Sequence, residues 1–182
     1  MKGVKTVGSS WGALCALKDP GGSVSCWGHP SYGASAPQGL VNVIEIYAGG
    51  VFFVVLHADG SARSWGGSWD LASTMAANNN PIKFVVTSSY NFAALRADGS
   101  IEFGNQLYTI YNKPSTGQYF TQIYANRHNF VGVSQDGRLT GFGGQNDAGQ
   151  VPSNLPSPAR VVFGTTWYYA DSWAVEQFPC PP

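Results

Sequence analysis

The sequence predicts an all-β fold, a β-propeller-like array of about 4.5 blades with three to four strands each. The first observation is composition: 23 Gly, 11 Pro and 14% aromatic residues among 182 positions. This is typical of many short strands joined by turns, because aromatic side chains suit pleated surfaces while Gly and Pro interrupt them. The second observation is an Asp-Gly phrase that recurs every 38 or 39 residues. The third is a strand-like apolar segment that occurs five times at a similar period.

The Asp-Gly phrase separates two strands of each unit. It occurs in HADGSARSWGG (57–67), RADGSIEFGN (96–105) and SQDGRLTGFGG (134–144), and in padded form in KDPGGSVSCWG (18–28). An aromatic residue and a glycine follow every turn, one residue earlier in 96–105 than in the other copies. Asp-Gly supplies the positive φ values that a two-residue hairpin turn demands. The recurrence is therefore explained by turn chemistry and predicts four β-hairpins.

Two apolar strands precede each turn. The strand directly before the turn is ALCAL (13–17), FVVL (53–56), FAAL (92–95) or FVGV (130–133). The strand upstream of it is VKTV (4–7), VIEIY (43–47), IKFVV (82–86), TQIY (121–124) or RVVF (160–163). These strands predict a single repeat domain over residues 1–182, with blades at about 4–42, 43–81, 82–119 and 120–159 and a partial unit at 160–178.

A unit of about 40 residues cannot bury both faces of its own sheet, so the units must stack. The inner strands are nearly continuous apolar runs, as expected when neighbours cover both faces. Radial stacking gives a β-propeller. A linear β-solenoid is the alternative, although its rungs are usually shorter and lack a regular Asp-Gly hairpin.

Three stretches carry a family resemblance: YGASAPQGLVNVIEIYAGG (32–50), YAGGVFFVVLHADGSARSWGG (47–67) and GGQNDAGQVPSNL (143–155). Their order of Asp-Gly turn, Trp-Gly and Gly-Gln linker resembles the regulator of chromosome condensation repeat family. The short-repeat branch, which includes the propeller-type β-lactamase inhibitory protein, is the most similar. The resemblance spans about Val4 to Val162. It implies a propeller whose loop faces bind proteins, as exchange factors, inhibitors or scaffolds, without chemistry on small substrates.

The unit count departs from that family. The resemblance implies rings of about seven blades, whereas 182 residues at this period give fewer than five. An unclosed array leaves a sheet face and strand edges exposed, and such surfaces associate. Three arrangements remain open: an unusually small ring closed within one chain, a ring completed by another chain, and head-to-tail stacking into a filament. The segment 160–178 could complete the N-terminal blade of its own chain or of the next.

Charge patterning excludes several classes of partner. Ten basic and ten acidic residues give a net charge of zero, so no basic field for nucleic acid is present. The longest apolar runs, such as VFFVVL (51–56), are too short to span a bilayer as a helix. The first residues, MKGVKTVGSSWG, lack the apolar stretch of a secretory signal. The compartment stays open, with an extracellular location favoured over the cytoplasm by low charge and abundant Gly and Ser.

Catalytic motifs are weak. GSSWG (8–12) has the Gly-x-Ser-x-Gly spacing of a hydrolase, but no helix follows Ser10 as a nucleophile elbow requires. His29, His57 and His128 fall at different positions of the repeat, with no carboxylate at a repeated offset. We therefore expect no enzyme activity, no metal site and no cofactor.

The cysteines give an open alternative. If Pro20 and Gly21 centre the first hairpin turn, Cys15 lies directly opposite Cys26, close enough for a disulfide. Two buried free thiols in a cytosolic chain are the other interpretation. Cys180 has no local partner, so an intermolecular bond and a free thiol both remain open for it.

The loops between the first and second strands carry a set of side chains at one predicted repeat position: Trp11, Val51, Tyr90, His128 and Trp167, with Tyr168 next to the last. Aromatic residues gathered on one rim could anchor a protein or stack on carbohydrate, or could simply pack over neighbouring blades. The leading hypothesis is a structural module that self-associates through incomplete blade edges, as a subunit of an extracellular fibre. The alternative is a soluble propeller that binds and regulates one protein, and a weaker one is an exchange factor for a small GTPase.

Overall fold

The computed structural model describes residues 3–67, 73–104, 109–143 and 151. These residues form β-strands and one 3-10 turn, Pro30–Tyr32, and no α-helix occurs among them. The strands are β1 Gly3–Ser9, β2 Ala13–Asp19, β3 Ser23–Gly28, β4 Val43–Ala48, β5 Phe52–His57, β6 Ala62–Gly66, β7 Thr74–Met75, β8 Ile82–Thr87, β9 Phe92–Arg96, β10 Ile101–Gly104, β11 Phe120–Ala125, β12 Phe130–Ser134 and β13 Leu139–Phe142. In this part of the chain no helix could cross a membrane.

Four antiparallel sheets are present, and each strand pairs with its neighbours in the chain. The first sheet is β1-β2-β3, the second β4-β5-β6-β7, the third β8-β9-β10 and the fourth β11-β12-β13. The predicted all-β class with three- to four-stranded units is confirmed, as are the first and second strands of the four full units. The predicted partial unit 160–178 lies outside the described residues.

The Asp-Gly turns differ from the predicted two-residue hairpins. In the second sheet the N–H of His57 donates to the carbonyl of Ser61, and the N–H of Gly60 donates to the carbonyl of His57. The loop therefore has three residues, and the positive φ falls on glycine alone, 81° at Gly60. Asp59 instead accepts hydrogen bonds from the N–H and hydroxyl of Ser61, at 2.8 and 2.6 Å. The aspartate is thus selected as an acceptor that closes the turn.

Three hydrophobic clusters lie between successive sheets. Ala13, Cys15 and Leu17 of β2 pack with Phe53, Val55 and Trp65 of the second sheet. Equivalent clusters join the second sheet to the third and the third to the fourth. Every sheet from the second onward therefore buries one face against the sheet before it, which supplies most of the stabilisation of the fold.

In the third repeat, which is one residue shorter, the aromatic residue after the turn lies on the other face of the sheet. Trp65 lies opposite Phe53, whereas Phe103 lies opposite Ala93 because the strand after the turn is one residue shorter. Side chains alternate between the faces of a strand, so a shift of one residue moves the aromatic ring to the other face. Trp65 accordingly packs toward the first sheet and Phe103 toward the fourth.

The turn glycine also contacts the next unit. The carbonyl of Gly60 accepts the N–H of Ile82, at the start of β8, at 2.9 Å. A Cβ atom at Gly60 would overlap the Cβ of Pro81. Glycine is required here by two constraints at once, its positive φ and the approach of the next unit.

Replacing Gly60 should therefore cost more than its backbone conformation alone. Gly39→Ala is the matched control, because Gly39 has a φ of 77° and a methyl group added there would have nothing within 4 Å. We expect the control to lose about 1–2 kcal/mol of unfolding free energy from its left-handed backbone, and Gly60→Ala to lose about 1–3 kcal/mol more from overpacking. Urea denaturation measures both, and equal losses would contradict the contact between units.

The turn carboxylates should make stability fall in acid. The Ser61 hydroxyl, followed by its N–H, lowers the pKa of Asp59, and the Ser100 hydroxyl and N–H lower the pKa of Asp98 in the same way. A lowered folded-state pKa contributes stability above the unfolded pKa, about 3.9, and that contribution is lost as the pH falls through the folded pKa. The melting temperature should drop below about pH 4. The double variant Asp59→Asn, Asp98→Asn should show a shallower drop, and an unchanged profile would contradict this assignment.

Cys15 and Cys26 are opposite each other in the β2–β3 register, with their sulfur atoms at bonding distance and their Cα atoms 4.1 Å apart. We expect non-reducing peptide mapping to recover these two cysteines in one linked peptide. Closing a loop with a sequence separation of 11 residues should raise the unfolding free energy by about 3 kcal/mol. The double variant Cys15→Ser, Cys26→Ser should lose that amount. An unlinked peptide pair from protein purified without reductant would rule the bond out.

Candidate functional site

Four inner loops join the first and second strands of the four units, at 10–12, 49–51, 88–91 and 126–129. Their main chains are connected in series. The N–H of Trp11 donates to the carbonyl of Gly50 at 2.8 Å, Gly50 to Ser89 at 3.0 Å, and Ser89 to Arg127 at 2.9 Å. We call this series the inner-loop ladder. It defines Trp11, Gly50, Ser89 and Arg127 as equivalent positions of the four units.

This equivalence corrects the predicted alignment of the loops. The alignment of the repeats by sequence set Trp11 beside Val51, Tyr90 and His128, but Trp11 lies one position earlier, beside Gly50. Strand pairing shows the reason, since Ser9 pairs with Leu14 as Ala48 pairs with Phe53. The residue before the loop is thus Ser9, so Trp11 is the second loop residue and is equivalent to Gly50, not to Val51.

Three of the predicted rim residues nevertheless contact one another. The rings of Trp11 and Tyr90 meet edge to face with centroids 5.7 Å apart, and Tyr90 stacks on His128 at 6.3 Å. The side chain of Trp11 is 56% exposed, while Tyr90 and His128 are half-buried. Trp167 and Tyr168 lie outside the described residues.

Trp11 lies across the main chain of the neighbouring loop. A Cβ atom at Gly50 would be 2.9 Å from Cε2 of Trp11 and 2.8 Å from the carbonyl oxygen of Ser89. Glycine at this position therefore leaves room for the indole ring of Trp11 against the main chain of the ladder.

A bowl of about 710 Å³ opens among the inner loops, and all four units contribute to its lining. We call it the inner-loop bowl. Its described lining contains Ser, Thr, Asn, Gly and Ala together with Trp11 and one charged side chain, Arg127, and no carboxylate. Asn126 holds its loop by accepting the N–H groups of His128 and Asn129 on Oδ1, at 2.9 and 2.7 Å.

The remaining candidate groups have structural contacts. The hydroxyl of Ser10 donates to the carbonyl of Tyr32 at 2.8 Å and accepts the N–H of Ala13 at 3.1 Å. Nδ1 of His29 accepts the N–H of Ser31, and Nδ1 of His57 lies 2.8 Å from the Val41 carbonyl oxygen. Within the described ranges no group of three or more His, Cys, Asp or Glu could hold a metal ion.

A second candidate surface is the outer face of the first sheet, which we define by Val4, Val7, Leu14 and Trp27. These side chains are 59, 50, 37 and 49% exposed. They lie on one face, because Leu14 pairs with Trp27 and the side chains of paired residues point to the same side.

The same face is buried in the other three sheets. The position of Leu14 is occupied by Phe53, Phe92 and Phe130, each 0% exposed. The position of Trp27 is occupied in the second sheet by Trp65, 4% exposed, and in the fourth by Phe142, 0% exposed. In those sheets the preceding sheet covers the face, whereas no sheet precedes the first among the described residues. The sequence predicted that an unclosed array of units leaves a sheet face exposed at its end. The strand pairing of the first sheet identifies the residues of that face.

No protein-family model matches the chain, and no curated protein matches it in sequence. Solved structures do match. The chain is similar to Prp20p of Saccharomyces cerevisiae, the yeast RCC1, with 16% identity and a TM-score of 0.59 over 78% of this chain and 45% of that one. It is also similar to the CRINKLY WD40 ectodomain of the Arabidopsis thaliana receptor kinase ACR4, with 20% identity and a TM-score of 0.57 over 78% of this chain and 50% of that one. The ectodomain of the Physcomitrella patens receptor kinase CR4 matches with 18% identity and a TM-score of 0.55, over 78% of this chain and 41% of that one.

The chain thus spans half or less of the length of these structures. Its four described sheets correspond to part of such a propeller, in agreement with an open or incomplete array. The short-repeat branch of the family stays a prediction. The similarity shows the fold, and the described residues form part of an RCC1-like β-propeller.

Proposed function

We propose that this chain is a non-enzymatic interaction module that binds other copies of itself through the outer face of the first sheet. One observation carries the proposal: this face is exposed in the first sheet and buried at every equivalent position of the following sheets. An exposed patch that contains Val, Leu and Trp marks a binding surface.

The repeat geometry indicates what the face would bind. Within the chain, the equivalent face of each later sheet packs against the other side of the sheet before it. Phe53 and Trp65 of the second sheet, for example, pack against Ala13, Cys15 and Leu17 of the first. A second copy that binds in the same way would present its last unit. Such a contact joins two different surfaces, so its repetition gives a ring if the rotation closes and a filament if it does not.

The main chain supports the same direction of growth. In the inner-loop ladder each carbonyl accepts an N–H from the preceding unit, and among the described residues nothing donates to the carbonyl of Trp11. A docked copy would extend the ladder by one bond.

An extracellular fibre subunit is the form of the proposal that combines these features. The sulfur atoms of Cys15 and Cys26 are at bonding distance, and disulfides persist in oxidising compartments. Two of the similar structures are receptor ectodomains, which supports a propeller of this type outside the cell.

Self-association is tested by sedimentation velocity over a wide concentration range. We expect wild-type protein to form larger species, and the double variant Leu14→Lys, Trp27→Lys to dissociate at least about 30-fold more readily, because truncating a central interface aromatic residue typically costs about 2 kcal/mol or more. Val41→Lys is the matched control, since Val41 is exposed and lies outside the face. Wild-type protein that stays monomeric throughout, or a double variant that behaves as wild type, would overturn the proposal.

A second candidate is a soluble propeller that binds and regulates one protein through the rim of Trp11, Tyr90 and His128. This candidate is favoured by the ring contacts, in which Tyr90 packs against both the exposed indole of Trp11 and the ring of His128. Prp20p binds Gsp1p and histones, so a propeller of this fold does recognise proteins. Exchange activity on a small GTPase rests only on that resemblance. This candidate uses a different surface from the first, and Trp11→Ala distinguishes them. The variant would abolish partner binding and leave self-association intact.

A further inference from the structure

The inner-loop bowl is an open, solvent-exposed depression that is large enough for a small ligand. Its volume of about 710 Å³ lies within the range of small-molecule sites, about 300–1,000 Å³. A protein partner would need about 800 Å² of surface on each side, which extends far beyond the bowl. A ligand of one or two rings is therefore favoured as the occupant.

The inner-loop ladder arranges the lining in a definite order. Trp11 stands at one end, Arg127 at the other, and Gly50 and Ser89 lie between them with little side-chain bulk. The bowl thus has an indole ring that packs against Gly50 at one end, small polar residues in the middle and an arginine at the other end. Main-chain hydrogen bonds hold the backbone of all four residues before any ligand binds, whereas the exposed side chain of Arg127 is ordered only by the ligand, at a cost in rotamer entropy.

The electrostatics of the bowl favour an anion. Arg127 is the charged group of its described lining, with no carboxylate beside it. None of the ion pairs of the described residues involves Arg127, and its side chain is exposed. A guanidinium group binds a carboxylate through two parallel hydrogen bonds.

The other groups favour a ring with one apolar face and several hydroxyls. The exposed indole of Trp11 offers a flat apolar surface and one N–H donor. Asn126 adds a side-chain amide to the lining. Its Oδ1 already accepts two main-chain N–H groups, so its own N–H groups are the donors that it offers to hydroxyls. A pyranose presents a C–H face to an aromatic ring and hydroxyls at its periphery, and a uronic acid adds the carboxylate.

We infer that the inner-loop bowl is a binding site for a carboxylate-bearing sugar, with Trp11 stacking on the pyranose ring and Arg127 pairing with the carboxylate. The bowl differs from the outer face of the first sheet, and Trp11, whose carbonyl a docked copy would engage, lies at the boundary between the two.

The test is calorimetric titration with methyl glucuronide, compared with methyl glucoside as the neutral probe and with a short oligoglutamate peptide as the acidic protein probe. We expect the glucuronide to bind at least about tenfold more tightly than the glucoside, since a hydrogen bond between charged groups contributes about 1.5–3 kcal/mol. Arg127→Gln should remove this preference, and Trp11→Ala should weaken both sugars.

Matched controls separate the site from general effects. Arg138→Gln removes an exposed arginine of the same unit, and Trp27→Ala removes an exposed tryptophan of the outer face. Both controls should bind glucuronide within about twofold of wild type, a difference below about 0.5 kcal/mol. Should Trp11→Ala fold poorly by its melting curve, Arg127→Gln decides alone, because its side chain is exposed. No glucuronide binding, equal binding of both sugars, or binding of the oligoglutamate alone would overturn the inference, and the last result would assign the bowl to an acidic protein segment.

Discussion

The described part of the structure depends on one constraint: a sheet of three or four short strands is stable only when it packs an apolar face against another sheet. The three hydrophobic clusters fulfil it, each built from facing strands of consecutive units. Phe53, Phe92 and Phe130 are the central residues of these contacts, and all three are inaccessible to solvent. A single unit of 38 or 39 residues cannot bury such residues by itself. Each unit is therefore stabilised by its contacts with its neighbours.

Hydrogen bonds between units make this stacking specific in register. The carbonyl of the turn glycine accepts an N–H from the first strand of the next unit, as Gly60 does from Ile82, and the inner-loop ladder repeats the same connection at the opposite end of the strands. Hydrophobic burial alone is non-directional, so two rows of main-chain bonds are what align one sheet with the next. The recurring Asp-Gly pair follows from this arrangement, with aspartate closing the turn and glycine allowing the neighbour to approach.

Both candidate surfaces arise from the same repetition. The outer face of the first sheet carries the residues of an internal contact without the preceding sheet. The inner-loop bowl arises because equivalent positions of the ladder hold very different residues, with a tryptophan and an arginine at the ends and small residues between them. Repetition of the backbone thus builds a regular frame, and substitution at individual positions of the frame gives each unit its own chemistry.

The sequence by itself determined the all-β class and the first and second strands of the four described sheets, because strand patterning and turn chemistry are local properties of the chain. Sequence spacing also placed Cys15 opposite Cys26, since a hairpin brings near neighbours together. The three-residue form of the turns depends on hydrogen bonds to Ser61 and its equivalents. The preference of Asp-Gly for two-residue turns does not predict these bonds.

Only the tertiary structure decided which residues meet across units. The alignment of Trp11 shifted by one position because strand pairing sets the alignment of the loops. Phe103 lies on the opposite face from Trp65 because its repeat is one residue shorter. The bowl had no local signature at all, since its indole ring and its cation are far apart in the chain and come together only when four sheets stack. Side-chain alternation and stacking are long-range consequences of register, and register is fixed by contacts between units that no single repeat contains.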